Sequence, residues 1–264
     1  MLCLQEVSDN FPELRGTCGA NQLAELAKLM PGYAAIEGVA LDIPDGHGRR
    51  KRFGNMVLSR YPVGQVLRWT LPWEADHTRN MPRGLIEAVV TAPFGPLRVM
   101  TTHLEYSSDG LRRAEVDGIR AAHRSACARV ANPREPGPGT YAIQPTAPCA
   151  ILTGDFNMKP EDPTKLRISA PFETGAPAFV DAWETLHPDA PHPPSFCLFD
   201  QTHGRPHLRL RFRDGGPAAA GEARLLRHDD EGLGPPAGAD RARRSLNPQG
   251  GTIVPTTRCT VLLQ

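Results

Sequence analysis

The stretch Ala150-Ile151-Leu152-Thr153-Gly154-Asp155-Phe156-Asn157 joins a short apolar run to a glycine and two polar side chains spaced two apart. An apolar run of this length that ends at a turn residue predicts a buried strand, and a buried strand delivers the side chains that follow it to the edge of its sheet. Because residues two apart in an extended segment point the same way, we expect Asp155 and Asn157 on one face.

Three other short motifs place a polar side chain at the end of a strand-like run. They are Leu4-Gln5-Glu6-Val7, Gly54-Asn55-Met56-Val57-Leu58-Ser59-Arg60-Tyr61-Pro62 and Thr101-Thr102-His103-Leu104. Polar side chains at strand ends can meet at one rim of packed sheets. We therefore expect the four motifs to converge.

Helical and strand patterns alternate along the chain up to about residue 200. The three- and four-residue spacing of apolar residues predicts helices over Asn21–Met30 and Leu111–Val130. Further strands are expected at Tyr33–Leu41, Asn55–Leu58, Gly84–Thr91 and Leu97–His103. Strands separated by helices, with antiparallel pairs in the middle, predict a layered α/β domain.

The 264 residues are 40% hydrophobic and 22% charged, which is the composition of a folded globular protein. A formal net charge of +1 provides no bulk field for nucleic acid, so composition leaves the partners open. No apolar run approaches about 18 residues and no basic leader precedes Leu2, so we expect neither a membrane span nor a signal peptide. The six cysteines lack C-x-x-C spacing, which predicts reduced thiols and a cytoplasmic location.

In this order the four motifs resemble the endonuclease/exonuclease/phosphatase superfamily, the metal-dependent hydrolases of phosphodiesters and phosphate esters. The resemblance spans about residues 2–200, and Asp181-Ala182-Trp183 is a weaker fifth match. Gly-Asp-Phe-Asn is the most specific motif, and the ordered set is more specific than any member. The resemblance implies a four-layer α/β/β/α sandwich with the active site at one end of the two packed sheets.

The resemblance also implies roles for individual residues. Glu6 matches the glutamate that binds the metal, which we expect to be Mg²⁺, with Mn²⁺ as the alternative. Asp155 and Asn157 match the pair that orients the attacking water and the phosphate. His103 matches the histidine that stabilises charge on the phosphoryl oxygens.

These residue types suit phosphodiester hydrolysis. A hard cation held by one or two carboxylates neutralises the charge of the ester. A second carboxylate can orient or deprotonate a water, and a neighbouring amide can donate to a phosphoryl oxygen. Asn55 and Arg83, the latter in Pro82-Arg83-Gly84, are expected to contact the phosphate or the rim of the site.

Each feature also has a purely structural interpretation. Glu6 alone is typical of a surface acid at a strand end, Asp155 with Asn157 of an Asx-type turn, and His103 of a structural histidine. A solvated helix face, or as the weaker alternative a nucleic-acid patch, is expected from Arg112, Arg113, Arg120 and Arg124. The ordered set of motifs favours the catalytic interpretation.

Residues 206–264 are rich in Arg, Gly and Pro, and their apolar residues recur with neither the period of a strand nor that of a helix. We expect a catalytic-type domain over residues 1–205 and then a disordered tail or a basic arm for nucleic acid. A frameshift is the third interpretation and the one we favour. Back-translated and read one base later, Leu208–Pro217 yields C-D-Y-V-F-V-T-E-D-L and Glu231–Arg243 yields K-A-S-D-H-Q-P-V-L-I-E-L, both strand-like.

Members of the superfamily normally begin with an Asn-bearing strand and close with an Asp-bearing strand and a Ser-Asp-His strand. As translated, the chain shows none of these, so we expect truncation at the N-terminus, missing terminal strands and weak or absent hydrolysis. The alternative function is a non-catalytic relative whose basic tail binds nucleic acid. The expected substrate is a phosphate ester, in nucleic acid, in a phospholipid or inositol head group or in a small molecule, and no obligate protein partner is predicted.

Sequencing the encoding DNA tests the frameshift. We expect the codons of residues 208–243, read one base later, to encode strand-like sequences that include Ser-Asp-His. Codons that yield no such sequences in that frame would remove the interpretation.

Overall fold

The computed structural model describes residues 1–14, 16–159, 161–193, 195 and 212–214. Its strands are β1 (Leu2–Asp9), β2 (Ala34–Pro44), β3 (Arg50–Ser59), β4 (Val63–Thr70), β5 (Gly84–Ala92), β6 (Gly95–His103), β7 (Ala150–Asp155), β8 (Phe179–Asp181) and β9 (Phe212–Asp214). Its helices are α1 (Gln22–Leu29), α2 (Asp109–Ala131), α3 (Pro163–Ser169) and α4 (Ala182–Leu186). Among the described residues, no helix combines the length and the apolar character needed to cross a membrane.

The two long predicted helices form where the apolar spacing places them, and each begins at a side-chain cap. Asn21 Oδ1 accepts from Ala24 N at 2.9 Å, and Ser108 Oγ accepts from Leu111 N at 3.2 Å. Both caps satisfy N–H groups that have no partner inside the helix. The sequence therefore predicted α1 and α2 from local signals alone.

One face of α2 departs from the sequence prediction. Arg112 is only 5% exposed, and its Nη1 donates to the backbone oxygens of Glu105 and Tyr106. Arg120 Nη1 donates to the carbonyl of Ala170 at 2.6 Å. The solvated-face prediction is thus wrong for Arg112, because its guanidinium group is buried against the backbone of the loop that precedes α2.

The strands form two sheets, of order β1-β3-β2 and β4-β5-β6-β7-β9-β8. All neighbouring strands are antiparallel except β6 and β7, which are parallel. A parallel pair needs a crossover connection, and α2 lies within the segment that connects β6 to β7. This crossover carries the chain back so that β6 and β7 end at the same edge.

Apolar clusters between and outside the sheets define four layers. Helix α1 packs its Leu23 and Leu26 on Val7, Met56 and Leu58 of the first sheet. Helix α2 packs on the outer face of the second sheet through Val116, Ile119 and Ala122. The sheets meet face to face through Ile36, Val57, Ile86 and Ala88. The order is α/β/β/α, as predicted.

Strand β9 lies inside the segment for which the translated sequence predicts no strand. Phe212–Asp214 pairs with β7 on one side and with β8 on the other. The rest of residues 206–264, including the whole second stretch of the frameshift interpretation, lies outside the described residues. The division into residues 1–205 and 206–264 stays a prediction.

The described cysteines only partly match the expectation of reduced thiols. None of Cys3, Cys18 and Cys127 is disulfide-bonded. Cys149 is disulfide-bonded, so for this residue the expectation is wrong. Burial raises the pKa of the Cys3 thiol to about 11, which keeps it protonated and unreactive at neutral pH.

The interior of the second sheet holds a buried charge network between α2 and the strands. Arg98 is fully buried, and its Nη1 donates to Glu87 Oε1 at 3.4 Å while its Nη2 lies 2.8 Å from His123 Nδ1. Burial, and then the charge of Arg98, lower the pKa of His123 to about 3, so the imidazole is neutral in the folded protein. This network ties the middle of α2 to β5 and β6.

A buried carboxylate on α2, that of Glu115, lies near the N-terminal end of the helix. Its side chain accepts a hydrogen bond from Glu105 N at 2.7 Å, and the residue is 1% exposed. Burial raises the pKa of Glu115 to about 7, although the N–H of Glu105 and the charges of Arg83 and Arg112 oppose the rise. Its proton is therefore lost close to neutral pH.

The backbones of β6 and β7 approach each other closely at Gly154. The residue has φ of 141°, and a Cβ there would lie 2.0 Å from the carbonyl oxygen of Thr102. Only glycine tolerates both this backbone conformation and this contact. The glycine of Gly-Asp-Phe-Asn is therefore required by the pairing of β6 with β7.

We expect Gly154→Ala to lower the free energy of unfolding by more than about 3 kcal/mol, because backbone strain and a clash with β6 add. The matched control is Gly95→Ala, which has φ of 121° but no atom within 4 Å of its Cβ. The control should cost only about 1–2 kcal/mol. Urea unfolding of both full-length variants measures the difference, and equal losses would contradict the clash.

We expect Glu115→Gln to remove part of the pH dependence of stability. Since the folded pKa of about 7 lies above the ordinary 4.5, the folded protein binds more protons than the unfolded chain between these pH values. The free energy of unfolding of the wild type should therefore fall as pH rises across that window, by on the order of 3 kcal/mol relative to Glu115→Gln. Urea unfolding across the window measures this, with the exposed Glu135→Gln as control. Parallel curves for all three proteins would show that the assigned shift is wrong.

Candidate active site

The site lies at the edge where β6 and β7 both end. In their parallel register His103 stands opposite Asp155, the last residue of each strand. Two motifs that are about 50 residues apart in sequence thus become neighbours in adjacent strands. The predicted convergence of Thr-Thr-His-Leu with Gly-Asp-Phe-Asn occurs through this single pairing.

The His103 ring lies between two carboxylates. Its Nδ1 is 3.9 Å from Glu6 Oε1, and its Nε2 is 3.9 Å from Asp155 Oδ2. The side chain of His103 is 9% exposed, whereas that of Asp155 is 25% and that of Glu6 68% exposed. The three residues therefore form one open-faced cluster, with the histidine at its floor and Glu6 towards solvent.

Glu6 reaches this cluster because β1 is irregular. The register of β1 against β3 shifts between Leu4 and Val7, and Glu6 has φ of 60°. A bulge of this kind redirects a side chain at a cost of roughly 1–3 kcal/mol. Beside it, Gln5 Nε2 donates to Thr101 Oγ1 at 3.1 Å, which ties β1 of the first sheet to β6 of the second.

Asp155 and Asn157 come together through a turn and not through an extended segment. Asn157 has φ of 50°, and its backbone N–H donates to Asp155 Oδ1 at 2.9 Å. The same-face argument from strand spacing is therefore wrong, since β7 ends at Asp155. Asn157 Nδ2 also donates to Leu104 O at 2.8 Å, so the amide is anchored to the residue that follows His103.

Asn55 lies beneath the site, between the sheets. It is 3% exposed, and its Nδ2 donates to Gly84 O at 3.3 Å, the same carbonyl that accepts from Thr102 Oγ1 at 3.0 Å. The structure thus places Asn55 in the middle of β3, opposite the irregularity of β1 between Leu4 and Val7, and gives its amide a backbone partner on β5.

Arg83 is likewise buried, at 8% exposure, and its Nε and Nη2 donate to Glu105 Oε2 at 3.3 and 3.2 Å. Glu105 was missed in the sequence, although a signal exists. The hairpin of β5 and β6 pairs Leu85 with Thr102, so continuing the register by two residues places Arg83 opposite Leu104, one residue before Glu105. An Arg and a Glu at neighbouring ends of a predicted hairpin predict such a pair.

Another group of potential metal ligands lies elsewhere. The ligand atoms of Asp181, Glu184 and His192 are within 4.8 Å of one another. Lys165 Nζ lies 3.6 Å from Asp181 Oδ2 and also pairs with Glu184, so an ammonium group already balances both carboxylates. Asp181 stands two strand spacings from β7, about 10 Å away, in the row of Leu152. This group is separate from the cluster around His103.

Two open clefts border the site, one at Glu6 and one at Asn157. One, of about 360 Å³, lies between β1 and α1 and is lined by Gln5, Glu6 and Leu26 among others. The other, of about 310 Å³, is lined by Asn157, Lys159 and Asp162 among others. The carboxylate oxygens of Glu6 and Asp155 can bind a hard cation or accept a hydrogen bond from a water, and a ring N–H of His103 can donate to an anion.

The sequence matches the model of the family described as "Endonuclease/Exonuclease/phosphatase family" over residues 1–225. No curated protein matches the chain in sequence. The fold is similar to that of the human Nocturnin catalytic domain with bound sulfate anion, at 14% identity over 81% of this chain and 69% of that one, with a TM-score of 0.50.

Two other solved structures match with lower TM-scores. Truncated TDP2 of Caenorhabditis elegans matches at 19% identity over 81% of this chain and 68% of that one, with a TM-score of 0.45. The endonuclease/exonuclease/phosphatase from Bacteroides vulgatus matches at 18% identity over 74% and 70%, with a TM-score of 0.49. The family match covers most of the chain, and the Nocturnin likeness shows the same fold. The chain therefore belongs to the endonuclease/exonuclease/phosphatase family, whose members are hydrolases of phosphate esters.

Proposed function

We propose that this chain is a divalent-metal-dependent phosphoesterase of the phosphodiesterase type, with impaired turnover. The observation that carries the proposal is the convergence of Glu6 and Asp155 on the two ring nitrogens of His103, each at 3.9 Å. Family membership supports the reaction class. Carboxylates, an amide and an imidazole around one open space match the needs of phosphoester hydrolysis.

We assign to Asp155 the activation of the attacking water. Its Oδ1 is held by the N–H of Asn157 at 2.9 Å, which fixes the carboxylate plane and directs Oδ2 towards the space beside His103. A carboxylate oriented in this way can accept a proton from an attacking water. The turn that a structural interpretation would assign to Asp155 and Asn157 is thus the device that orients the proposed base.

Asn157 and His103 are assigned to the phosphate. The Asn157 amide has two hydrogens, and Leu104 O accepts one of them at 2.8 Å, which orients the group. The second hydrogen can donate to a phosphoryl oxygen. A ring N–H of His103 can donate to another oxygen as negative charge develops there.

Glu6 is assigned to the cation. Its carboxylate is the most exposed of the cluster, and oxygen donors of this kind fit Mg²⁺, with Mn²⁺ as the alternative. The bound cation would supply neutralisation of the ester's negative charge. The buried neighbours Asn55 and Arg83, by contrast, support the site from below, and their contact with phosphate stays a prediction.

Impaired turnover follows from a group that the translated sequence lacks. No Ser-Asp-His tripeptide occurs in the chain, and this motif carries the histidine that completes the catalytic centre of the family. Removing one member of a set of groups that act together commonly lowers the rate by several orders of magnitude. We therefore propose slow hydrolysis and not the rate of an intact relative.

The substrate class remains a phosphate ester of nucleic acid, of a phospholipid head group or of a small molecule. The open clefts at Glu6 and at Asn157 support a diester over a monoester, because a diester carries two substituents on phosphorus that need room. The basic tail of the alternative, non-catalytic function lies outside the described residues. A cytoplasmic location and the absence of an obligate protein partner stay predictions.

Hydrolysis of bis-p-nitrophenyl phosphate by the full-length chain tests the proposal. We expect slow turnover that requires Mg²⁺ or Mn²⁺, stops with EDTA and falls at least about 100-fold in Asp155→Asn. Asparagine keeps an oxygen for the N–H of Asn157, so the turn and the fold should persist. Turnover that is fast, or unchanged in Asp155→Asn, would contradict the proposal. Nucleic-acid binding that weakens with salt, ignores EDTA and comes without turnover would favour the alternative function.

Metal binding has a separate readout. We expect Glu6→Gln to weaken Mn²⁺ binding, measured by the enhancement of water proton relaxation, by about 10-fold or more, because a carboxylate ligand is lost. Glu25→Gln is the control, since Glu25 lines the same cleft but lies on α1. Equal binding by the wild type and Glu6→Gln would show that Glu6 is not a ligand.

A further inference from the structure

Glu105 is a fully buried carboxylate next to the proposed site, and each of its oxygens accepts two hydrogen bonds. Oε1 accepts the backbone N–H groups of Tyr106 at 2.9 Å and Ser107 at 2.7 Å. Oε2 accepts Arg83 Nε and Nη2 at 3.3 and 3.2 Å. The side chain is 2% exposed. A carboxylate at this depth is stable only because these donors replace water.

The backbone of Glu105 is held as tightly by α2. Its N–H donates to Glu115 Oε2 at 2.7 Å, and its carbonyl accepts from Arg112 Nη1 at 3.0 Å. Arg112 is itself 5% exposed, and Glu115 is 1% exposed. Three buried charged side chains, from the β4–β5 loop and from α2, therefore converge on one residue.

The neighbour of Glu105 on the other side belongs to the site. Leu104 N donates to Asp155 O at 2.9 Å, and Leu104 O accepts from Asn157 Nδ2 at 2.8 Å. The segment His103–Glu105 is thus attached to the Asp155 turn at Leu104 and to the buried charges at Glu105. A shift of Glu105 would move both anchors.

We propose that Glu105 is a positioning residue, whose carboxylate, with Arg83 as counterion, fixes the turn after His103 and so sets the spacing of His103, Asp155 and Asn157. The inference rests on the proposed function for its catalytic consequence. Neither Glu105 nor Arg83 needs to touch the substrate. Arg83, expected from the sequence to contact phosphate, acts instead through the carboxylate that it neutralises.

The test compares Glu105→Gln with Glu87→Gln. Glu87 is the matched control, because it is 2% exposed, lies on β5 of the second sheet and pairs with the buried Arg98 at 3.4 Å. A second test variant, the double substitution Arg83→Met with Glu105→Leu, removes both charges together and avoids leaving one buried ion unpaired. Amide hydrogen exchange and kinetics with bis-p-nitrophenyl phosphate are measured on the full-length proteins.

In both Glu105 variants we expect amide exchange to rise about 10-fold or more at Tyr106 and Ser107, and to spread to Leu104 and Asn157. A purely local structural role would raise exchange only at Tyr106 and Ser107. Faster exchange at Leu104 and Asn157 as well is the result that a positioning role predicts. The value of kcat should fall about 10- to 100-fold with KM changed less than about 3-fold, the size seen when groups that orient catalytic ligands are removed. Glu87→Gln should lower the melting temperature while leaving exchange at Leu104 and Asn157, and kcat, close to the wild type.

The inference is overturned if exchange at Leu104 and Asn157 in the Glu105 variants stays at the wild-type level, or if Glu87→Gln accelerates it equally. The exchange measurement needs no turnover. A wild type without any hydrolysis would therefore count against the proposed function, while the exchange result would still decide the role of Glu105.

Discussion

The parallel contact between β6 and β7 is the constraint on which the site depends. At Gly154 the two backbones approach so closely that a Cβ would lie 2.0 Å from Thr102 O. The next pair in the register is His103 with Asp155. Because the strands are parallel, both residues emerge at the same edge, and the turn at Asn157 follows at once. The histidine, the carboxylate and the amide thus owe their proximity to one pairing that only glycine permits.

The second carboxylate of the site, that of Glu6, reaches His103 in a different way. Glu6 belongs to the first sheet, and it meets His103 only because the sheets pack face to face and β1 bulges between Leu4 and Val7. The Gln5–Thr101 hydrogen bond, at 3.1 Å, joins the sheets at that point. The site therefore combines His103 and Asp155, which are paired within one sheet, with Glu6, whose position depends on how the two sheets pack.

Buried charge forms the support of this edge. Glu105, Arg83, Arg112 and Glu115 are each less than 9% exposed, yet all are engaged by hydrogen bonds or ion pairs. In an interior of low dielectric constant such groups are costly unless every partner is present, so they specify one arrangement. Apolar residues of the same size would hold the layers together, but they would not hold the turn after His103 through directed bonds.

Local signals in the sequence were enough for α1, α2 and the long strands, because caps and apolar periods act over a few residues. The short elements β8, α3 and α4 were not predicted, since three to seven residues hold too little of a period, and β4 is an edge strand with mixed exposure. The arginines of α2 misled for a related reason. From sequence alone, a charged residue on a helix is expected to face solvent. In the tertiary structure Arg112 instead finds a buried carbonyl, that of Glu105, as its partner.

The sequence by itself determined the ordered motifs, and with them the family and the α/β/β/α layers, because strand-end polar residues in a fixed order are a one-dimensional pattern. Only the tertiary structure decided that Asp155 and Asn157 meet in a turn, that Glu6 reaches His103 through a bulge, and that Arg83 faces Glu105 inside the protein. Each of these depends on the packing of segments far apart in the chain, where distance and burial, and not residue type, determine which partner a polar group finds.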